Sequence, residues 1–416
     1  MTGETEAGRE RRLLHDWNVV GGGPEPGVPE VELDDETLRD GLQSPSVRCP
    51  SLEEKIEILH RMEDLGIQAV DIGYAGAGEA VLADVVGLAA EIDRNGMRIE
   101  PNCAGRTHPA DIDPIAEAQQ RAGVRIEAAL FLGSSPIRQY AEGWDLDFLL
   151  ETTEKAVAHA RALDLDVMYV TEDTTRAQPE VLRRLYTTAI EAGARRICLS
   201  DTVGHATPWG VRNLVRFARE IVDDTGEPVK IDFHGHRDRG LDISNALAAL
   251  EAGANRVHGC ALGIGERVGN AAMDVLLVNL RLLGWIDADL AALPAYCEAV
   301  SRATDTPIPH NYPAVGKDAF ETSTGVHAAA VLKALRRGDT WLANRVYSGV
   351  PADLLGRSQV ITVGPMSGQA NAEAWLFQHD ISPEPDLVRR IVAAAKASDT
   401  VLTEEQMMEI VGGAHA

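Results

Sequence analysis

From residue 30 to about residue 285, short apolar, β-prone runs alternate with longer stretches whose apolar positions recur at helical spacing. That alternation predicts a parallel sheet wrapped by helices, since strands covered on both faces read as apolar runs and each parallel crossover takes a helix. The candidate strands begin with Val31–Leu33 leading into Thr37–Asp40. They continue through Ala69–Gly73, Ile99–Cys103, Ile126–Phe131, Val167–Glu172, Ile197–Thr202, Val229–His234 and Arg256–Cys260. Between them, Leu52–Leu65, Thr153–Leu163, Trp209–Asp223 and Asn245–Ala252 carry helical periodicity. About eight β/α units over residues 29–285 predict an α/β fold, a (β/α)8 TIM barrel, with a doubly wound open sheet as the alternative. The positions of the polar residues favour the barrel. Arg39, Asp40, Asp71, Glu172, Thr202, His234 and His236 all fall at the C-terminal ends of predicted strands, where a barrel gathers its active site and an open sheet would scatter them.

Beyond Trp285 the pattern changes to helices and irregular segments, with helical stretches near Leu290–Ala303, Val326–Arg336 and Pro385–Ala397. Residues 286–416 are therefore expected to form a mostly helical C-terminal region. Residues 1–28, with Gly21–Gly23, Pro24 and Pro26, read as a flexible N-terminal arm.

Composition narrows the function class. A formal net charge of −25 argues against nucleic acid as a partner, because phosphate contacts need clustered lysine and arginine. It also means that an anionic substrate has to be received by individual arginines working against the overall field. The five cysteines are odd in number, widely spaced and never in a C-x-x-C arrangement, which predicts a reduced, intracellular protein. No apolar run approaches the roughly 20 residues of a membrane span, and the N-terminus lacks a secretory pattern, so a cytoplasmic location is expected.

The sharpest chemical signal is His234-Gly235-His236. Residues two apart on a strand face the same side, so both imidazoles can reach one ion while Gly235 faces away. Alone, such a pair is as well explained by two unrelated histidines at a polar strand end. Its company is Leu38-Arg39-Asp40-Gly41-Leu42-Gln43 near the start and Gly263-Ile264-Gly265-Glu266-Arg267-Val268-Gly269-Asn270 beyond it. Thr171-Glu172-Asp173 with Arg176, Asp201-Thr202-Val203-Gly204 with Pro208, and Gly316-Lys317-Asp318-Ala319-Phe320 leading to His327 complete the set.

In this order the motifs resemble the 2-isopropylmalate synthase and homocitrate synthase family, acetyl-CoA-dependent Claisen-condensing TIM-barrel enzymes of the metal-dependent lyase superfamily. The likeness runs from about residue 31 to about residue 360. It implies a divalent metal (Zn, Mn or Mg) held by Asp40, His234, His236 and Asn270, a mixed N/O set that leaves positions for a bidentate 2-oxo acid. Asn270 also reads as a helix cap or turn residue. The resemblance implies that Arg39 neutralises charge on the acceptor's keto oxygen, that Gln43 and Thr202 bind the acceptor, and that Asp71 lies near its tail. Thr202 reads equally as a β-branched residue closing a strand. Deprotonation of the acetyl methyl group is assigned by the resemblance to His327, with Glu172 orienting it or sharing the proton and Tyr347 completing the relay. The His327 segment is implied to reach the partner subunit's site in a homodimer with shared active sites.

Two positions depart from the family pattern. Arg237 follows the histidines where relatives have asparagine, and Arg138 ends the fourth strand segment where they often carry histidine. Each reads either as a solvated surface arginine or as a contact to a second anionic group on the acceptor or CoA. The Asp-Gly-Leu-Gln segment also echoes the acyl-CoA lyase branch, which cleaves C–C bonds and carries a cysteine in a late glycine-rich loop. Here Cys260 precedes that loop, which favours condensation. A noncatalytic barrel is disfavoured by the intact ligand set. The chain ends at Ala416, too early for the regulatory domain of leucine-inhibited synthases, and the acceptor's identity is left open among several 2-oxo acids.

Overall fold

The alternating pattern folds as a closed barrel in the computed structural model, which describes residues 6–19 and 30–413. Among the described residues the strands run β1 (Glu32–Asp35), β2 (Ala69–Asp71), β3 (Glu100–Arg106), β4 (Glu127–Gly133), β5 (Asp166–Glu172), β6 (Arg196–Asp201), β7 (Lys230–Gly235) and β8 (Arg256–Gly259). They pair in parallel and in sequence order, and β1 closes the ring on β8 with Glu32 opposite Arg256 and Asp35 opposite Gly259. A sheet with β1 paired on both sides has no edge, so the open-sheet alternative is excluded.

The first strand ends at Asp35 and does not continue into Thr37–Asp40 as expected. The Asp35 carboxylate accepts the Thr37 N–H at 2.9 Å, and the Glu36 carbonyl accepts the N–H groups of Arg39 and Gly41 at 3.1 and 3.0 Å. This turn folds Glu36 to Asp40 back across the C-terminal rim. The helices obey ordinary stop and start signals. In Pro208–Thr225 the Thr207 hydroxyl caps the Gly210 N–H, Pro208 opens the first turn and left-handed Gly226 ends the last. Its buried residues, Val211, Val215, Ala218, Ile221 and Val222, recur three or four apart and face the sheet.

Two different cores result. Between sheet and helices the packing is aliphatic, but towards the N-terminal ends of the strands the residues facing the barrel axis are charged, with a small apolar layer of Ala129, Met168 and Cys198 above them. Arg196 reaches Asp232 at 2.7 Å and Glu32 at 3.0 Å; Arg256 reaches Asp232 at 2.6 Å and Glu127 at 2.8 Å. Asn102 donates to both oxygens of Asp34 at 2.9 Å. Burial alone pushes the Asp232 carboxyl up, yet Arg256 and Arg196 hold it below the ordinary range. Nearly every charge in this plug is matched, so it forms a rigid polar floor beneath the rim.

The aliphatic core does not stop at residue 285. Helix Leu293–Thr304 contributes Leu293, Tyr296 and Val300 to it, and the Tyr296 hydroxyl bonds Asp35. Separate apolar clusters then form around Val331, Leu332 and Ile361, and around Trp375, Ile391 and Met407. Three C-terminal helices, Gln369–Gln378, Glu404–Gly412 and the short Thr340–Ala343, lie outside the predicted stretches. The first has small and apolar residues all round it and so no stripe to betray its period. The N-terminal arm also departs from expectation. It contains helix Glu6–Leu13, where Arg9 pairs with Asp339 and lies 4.3 Å over the Trp341 ring; residues 1–5 and 20–29 of the arm lie outside the described residues. Among the described residues no helix is long and apolar enough to cross a membrane.

Candidate active site

A cavity of about 240 Å³ opens at the C-terminal rim above the charged floor. Asp40, delivered by the turn after β1, meets the two histidines at the end of β7. Asp40 Oδ2 stands 3.5 Å from His234 Nε2 and 3.6 Å from His236 Nε2. Donors bound about 2.1 Å from one ion stand roughly 3 to 3.5 Å apart, so the trio has the spacing of metal ligands drawn slightly open.

The outer partners fix which atoms are available. His234 Nδ1 lies 2.9 Å from Glu36 Oε2, which leaves Nε2 directed at Asp40. Glu36 is in turn held by His258 Nδ1 at 2.8 Å, and His258 Nε2 reaches Asp232 at 3.0 Å. Burial opposes protonation of His258, but Asp34, Asp232 and Glu36 outweigh it and raise its pKa to about 10. Glu36, His234 and His258 also stand within reach of one ion, but with Nδ1 on Glu36 and Nε2 on Asp232 His258 acts as an outer partner of the Asp40, His234 and His236 group. Burial and the neighbouring His234 hold His236 down to about 4, which keeps it in the neutral form that a ligand needs.

Asn270 approaches from the loop after β8. It forms an isolated antiparallel bridge with His236, and its Oδ1 is buried with no hydrogen-bond partner. Two glycines make this approach possible. A Cβ on Gly265 (φ +140°) would overlap the Asn270 amide, and one on Gly269 (φ +102°) would overlap the Gly263 carbonyl. An orphaned amide oxygen beside two imidazoles and a carboxylate fits a divalent cation, which would satisfy all of them at once.

Arg39, Gln43, Glu172 and Thr202 line the same cavity. Arg39 is clamped by Asp71 at 2.6 Å, Glu36 at 3.0 Å and Asp40 at 3.6 Å. Asp71, anticipated beside the acceptor's tail, instead lies buried behind Arg39; burial lifts its carboxyl to about 7 although Arg39 pulls the other way. Thr202 accepts the Asp173 N–H on its hydroxyl at 2.8 Å, and Asp173 forms a two-pronged pair with Arg176. Burial raises the Glu172 carboxyl above its usual range against the pull of Arg138.

The two departing arginines have different settings. Arg138 lines a neighbouring cavity of about 520 Å³, where it meets Glu142 at 2.5 Å and Glu172 at 3.4 Å, so its charge is already matched by carboxylates. Arg237 runs back under the glycine loop, its backbone N–H on the Gly269 carbonyl at 3.0 Å and its guanidinium filling the space beside Gly263. It braces the loop that carries Asn270. His327 and Tyr347 do not join the cavity of their own chain. They stack on each other with ring centroids 3.9 Å apart at 23°, on a surface where Val326 is 74% and Tyr347 47% exposed. Glu36, Tyr74, Phe131, His258, Glu266 and Arg267, which also line the cavity, were not among the expected site residues. Two of them had a signal: Glu36 and His258 extend the period-two series Asp34, Glu36 and Arg256, His258 along axis-facing positions.

The HMGL-like family model matches residues 30–300. A homocitrate synthase from Methanopyrus kandleri is 31% identical over 388 residues, covering 92% of each chain. A 2-isopropylmalate synthase from Caulobacter vibrioides is 35% identical over 310 residues, covering 73% of this chain and 58% of that one. Among solved structures, an HMG-CoA lyase from Bacillus subtilis superposes with a TM-score of 0.56 at 21% identity, covering 68% of this chain and 96% of that one, a likeness of fold. The chain belongs to the HMGL-like family, as an enzyme of the group that contains the homocitrate and 2-isopropylmalate synthases.

Proposed function

We propose that this enzyme condenses acetyl-CoA with a 2-oxo acid. The acetyl methyl carbon bonds to the keto carbon, the methyl group gives up a proton, and water cleaves the thioester to leave a 2-alkylmalate or homocitrate-like product and free CoA. The observation that carries the reading is the convergence of Asp40, His234 and His236 in one cavity with Arg39, next to the loop where Asn270, bridged to His236, keeps an orphaned amide oxygen. A divalent ion held by those four residues would polarise the keto group and anchor the adjacent carboxylate. Arg39, fixed by three carboxylates, faces the keto oxygen where negative charge develops. Gln43 and Thr202 hold the acceptor's carboxylate end.

The proton of the acetyl methyl group passes to Glu172, directly or through His327 of a second copy of this chain. Exposure of the His327 and Tyr347 stack supports the latter, since a pair of that chemistry outside its own cavity is available to a partner's, in a homodimer with shared sites. Condensation is favoured over C–C cleavage because Cys260 is fully buried and does not line the cavity. Free thiol release from acetyl-CoA, measured with a panel of 2-oxo acids and added divalent metal, tests the reading; an inert protein or thiol-independent cleavage would contradict it.

Glu172→Gln is expected to lower kcat by about 10²- to 10⁴-fold with little change in the KM of the 2-oxo acid. Glu172 must be ionised to accept a proton, and burial raises its pKa, so the wild-type rate should climb with pH through a limb above the ordinary glutamate value. Persistence of that limb in the variant would show that another group titrates.

A further inference from the structure

Phe131, near the end of β4, lies where two chambers meet. Together with Glu172 it lines both the 240 Å³ cavity that contains Asp40, His234 and His236 and the 520 Å³ cavity beside helix Leu146–Ala162. The ring is braced from behind. Tyr74 meets it edge-on with centroids 6.2 Å apart at 68°, the Tyr74 hydroxyl bonds Asp111, and Arg106 grips Asp111 through bonds of 2.7 and 2.9 Å. A wall tied down through three successive side chains does not swing aside cheaply.

The inner chamber joins the polar end at Asp40, His234 and His236 to an apolar patch. Ala104, Ala129, Met168 and Val170 line it, and Ala129, Met168 and Cys198 pack as their own cluster inside the barrel. The cations that border the chamber are committed. Arg39 is held by three carboxylates, Arg267 by Asp238 at 2.8 Å and the Thr202 carbonyl at 2.6 Å, and His258 by Glu36 and Asp232. A second carboxylate on an acceptor's tail would lose water against this wall and gain no uncommitted cation from the residues that line it.

We propose that Phe131 is the specificity partition of this enzyme, confining the acceptor's tail to the inner chamber and selecting 2-oxo acids with a short, uncharged tail. The inference rests on the condensation reading for the orientation of the acceptor, with its 2-oxo acid end at Asp40, His234 and His236. The outer chamber is closed to the tail while the Phe131 ring is in place.

The test compares the full chain with Phe131→Ala, both supplied with divalent metal, using 2-oxoisovalerate, phenylpyruvate and 2-oxoglutarate. Thiol release is measured, and so is calorimetric binding of each acid without acetyl-CoA. The wild type is expected to prefer 2-oxoisovalerate over 2-oxoglutarate by about 10²-fold in kcat/KM. Phe131→Ala should raise kcat/KM for phenylpyruvate by about tenfold and lower it for 2-oxoisovalerate, with binding following the same order. Should Phe131→Ala fail to fold by circular dichroism, Phe131→Leu takes its place, with a smaller shift in the same direction. A wild type that prefers 2-oxoglutarate, or a variant with an unchanged acceptor profile, overturns the proposal. If no acid releases thiol yet binding shows the expected order and shift, the partition stands and the condensation reading falls. Binding indifferent to both tail and variant overturns the partition whatever the thiol assay reads.

Discussion

His234→Ala is expected to abolish stoichiometric binding of a divalent metal and to lower thiol release by about a thousandfold or more. His234 is the residue on which the site turns. Its Nε2 faces Asp40 while its Nδ1 is held by Glu36, which His258 and Asp232 anchor to the charged barrel floor. Removing the ring takes away one of four donors and also cuts the link between the site and that floor. Loss of several kcal/mol of transition-state stabilisation corresponds to about three decades in rate. Metal content after dialysis and the metal-induced rise in Tm provide readouts independent of turnover: the wild type should show both, the variant neither. A variant that retains one equivalent of metal and near-normal turnover would exclude His234 as a ligand.

The second large effect is a gain. Asp40→Asn and His327→Ala should each be nearly inactive alone, yet the two mixed as exchanging subunits should recover up to roughly a quarter of wild-type activity if each site uses His327 of the other copy. Random pairing makes half the dimers mixed, and each mixed dimer assembles one intact site from two. The structural basis is that His327 and Tyr347 stack beside exposed Val326 instead of lining their own chain's cavity. Failure to recover activity, with subunit exchange verified, would mean that the relay acts within one chain. Full activity of His327→Ala alone would remove it from the relay.

Much of the barrel was legible because its strands are short apolar runs bounded by turn residues and its helices carry clear stripes. The charged interior was legible in part. Asp232 and His234 on β7, His236 just past its end, and Arg256 and His258 on β8 repeat at period two, the signature of one strand face, but nothing local says that this face looks inward at a matched ion network. Asp40, His234 and His236 were readable as a set because they follow or end strands whose C-terminal ends a barrel brings together. The placement of Arg138, Arg237 and Asp71 was not, since each depends on a rotamer chosen by distant partners: Glu142 and Glu172, the space beside Gly263, and Arg39. The stripe-free helix Gln369–Gln378 was hidden for a related reason, its burial on several sides erasing the period that would announce it.

The most direct measurement follows both carbons of acetyl-CoA. With [1,2-¹³C₂]acetyl-CoA, divalent metal and the preferred 2-oxo acid, one new hydroxy dicarboxylate is expected for each thiol released, its labelled methylene bonded to the former keto carbon and its labelled carboxylate bonded to that methylene. Removal of the metal should abolish both products together. Thiol released with labelled acetate and no new carbon–carbon bond would contradict it.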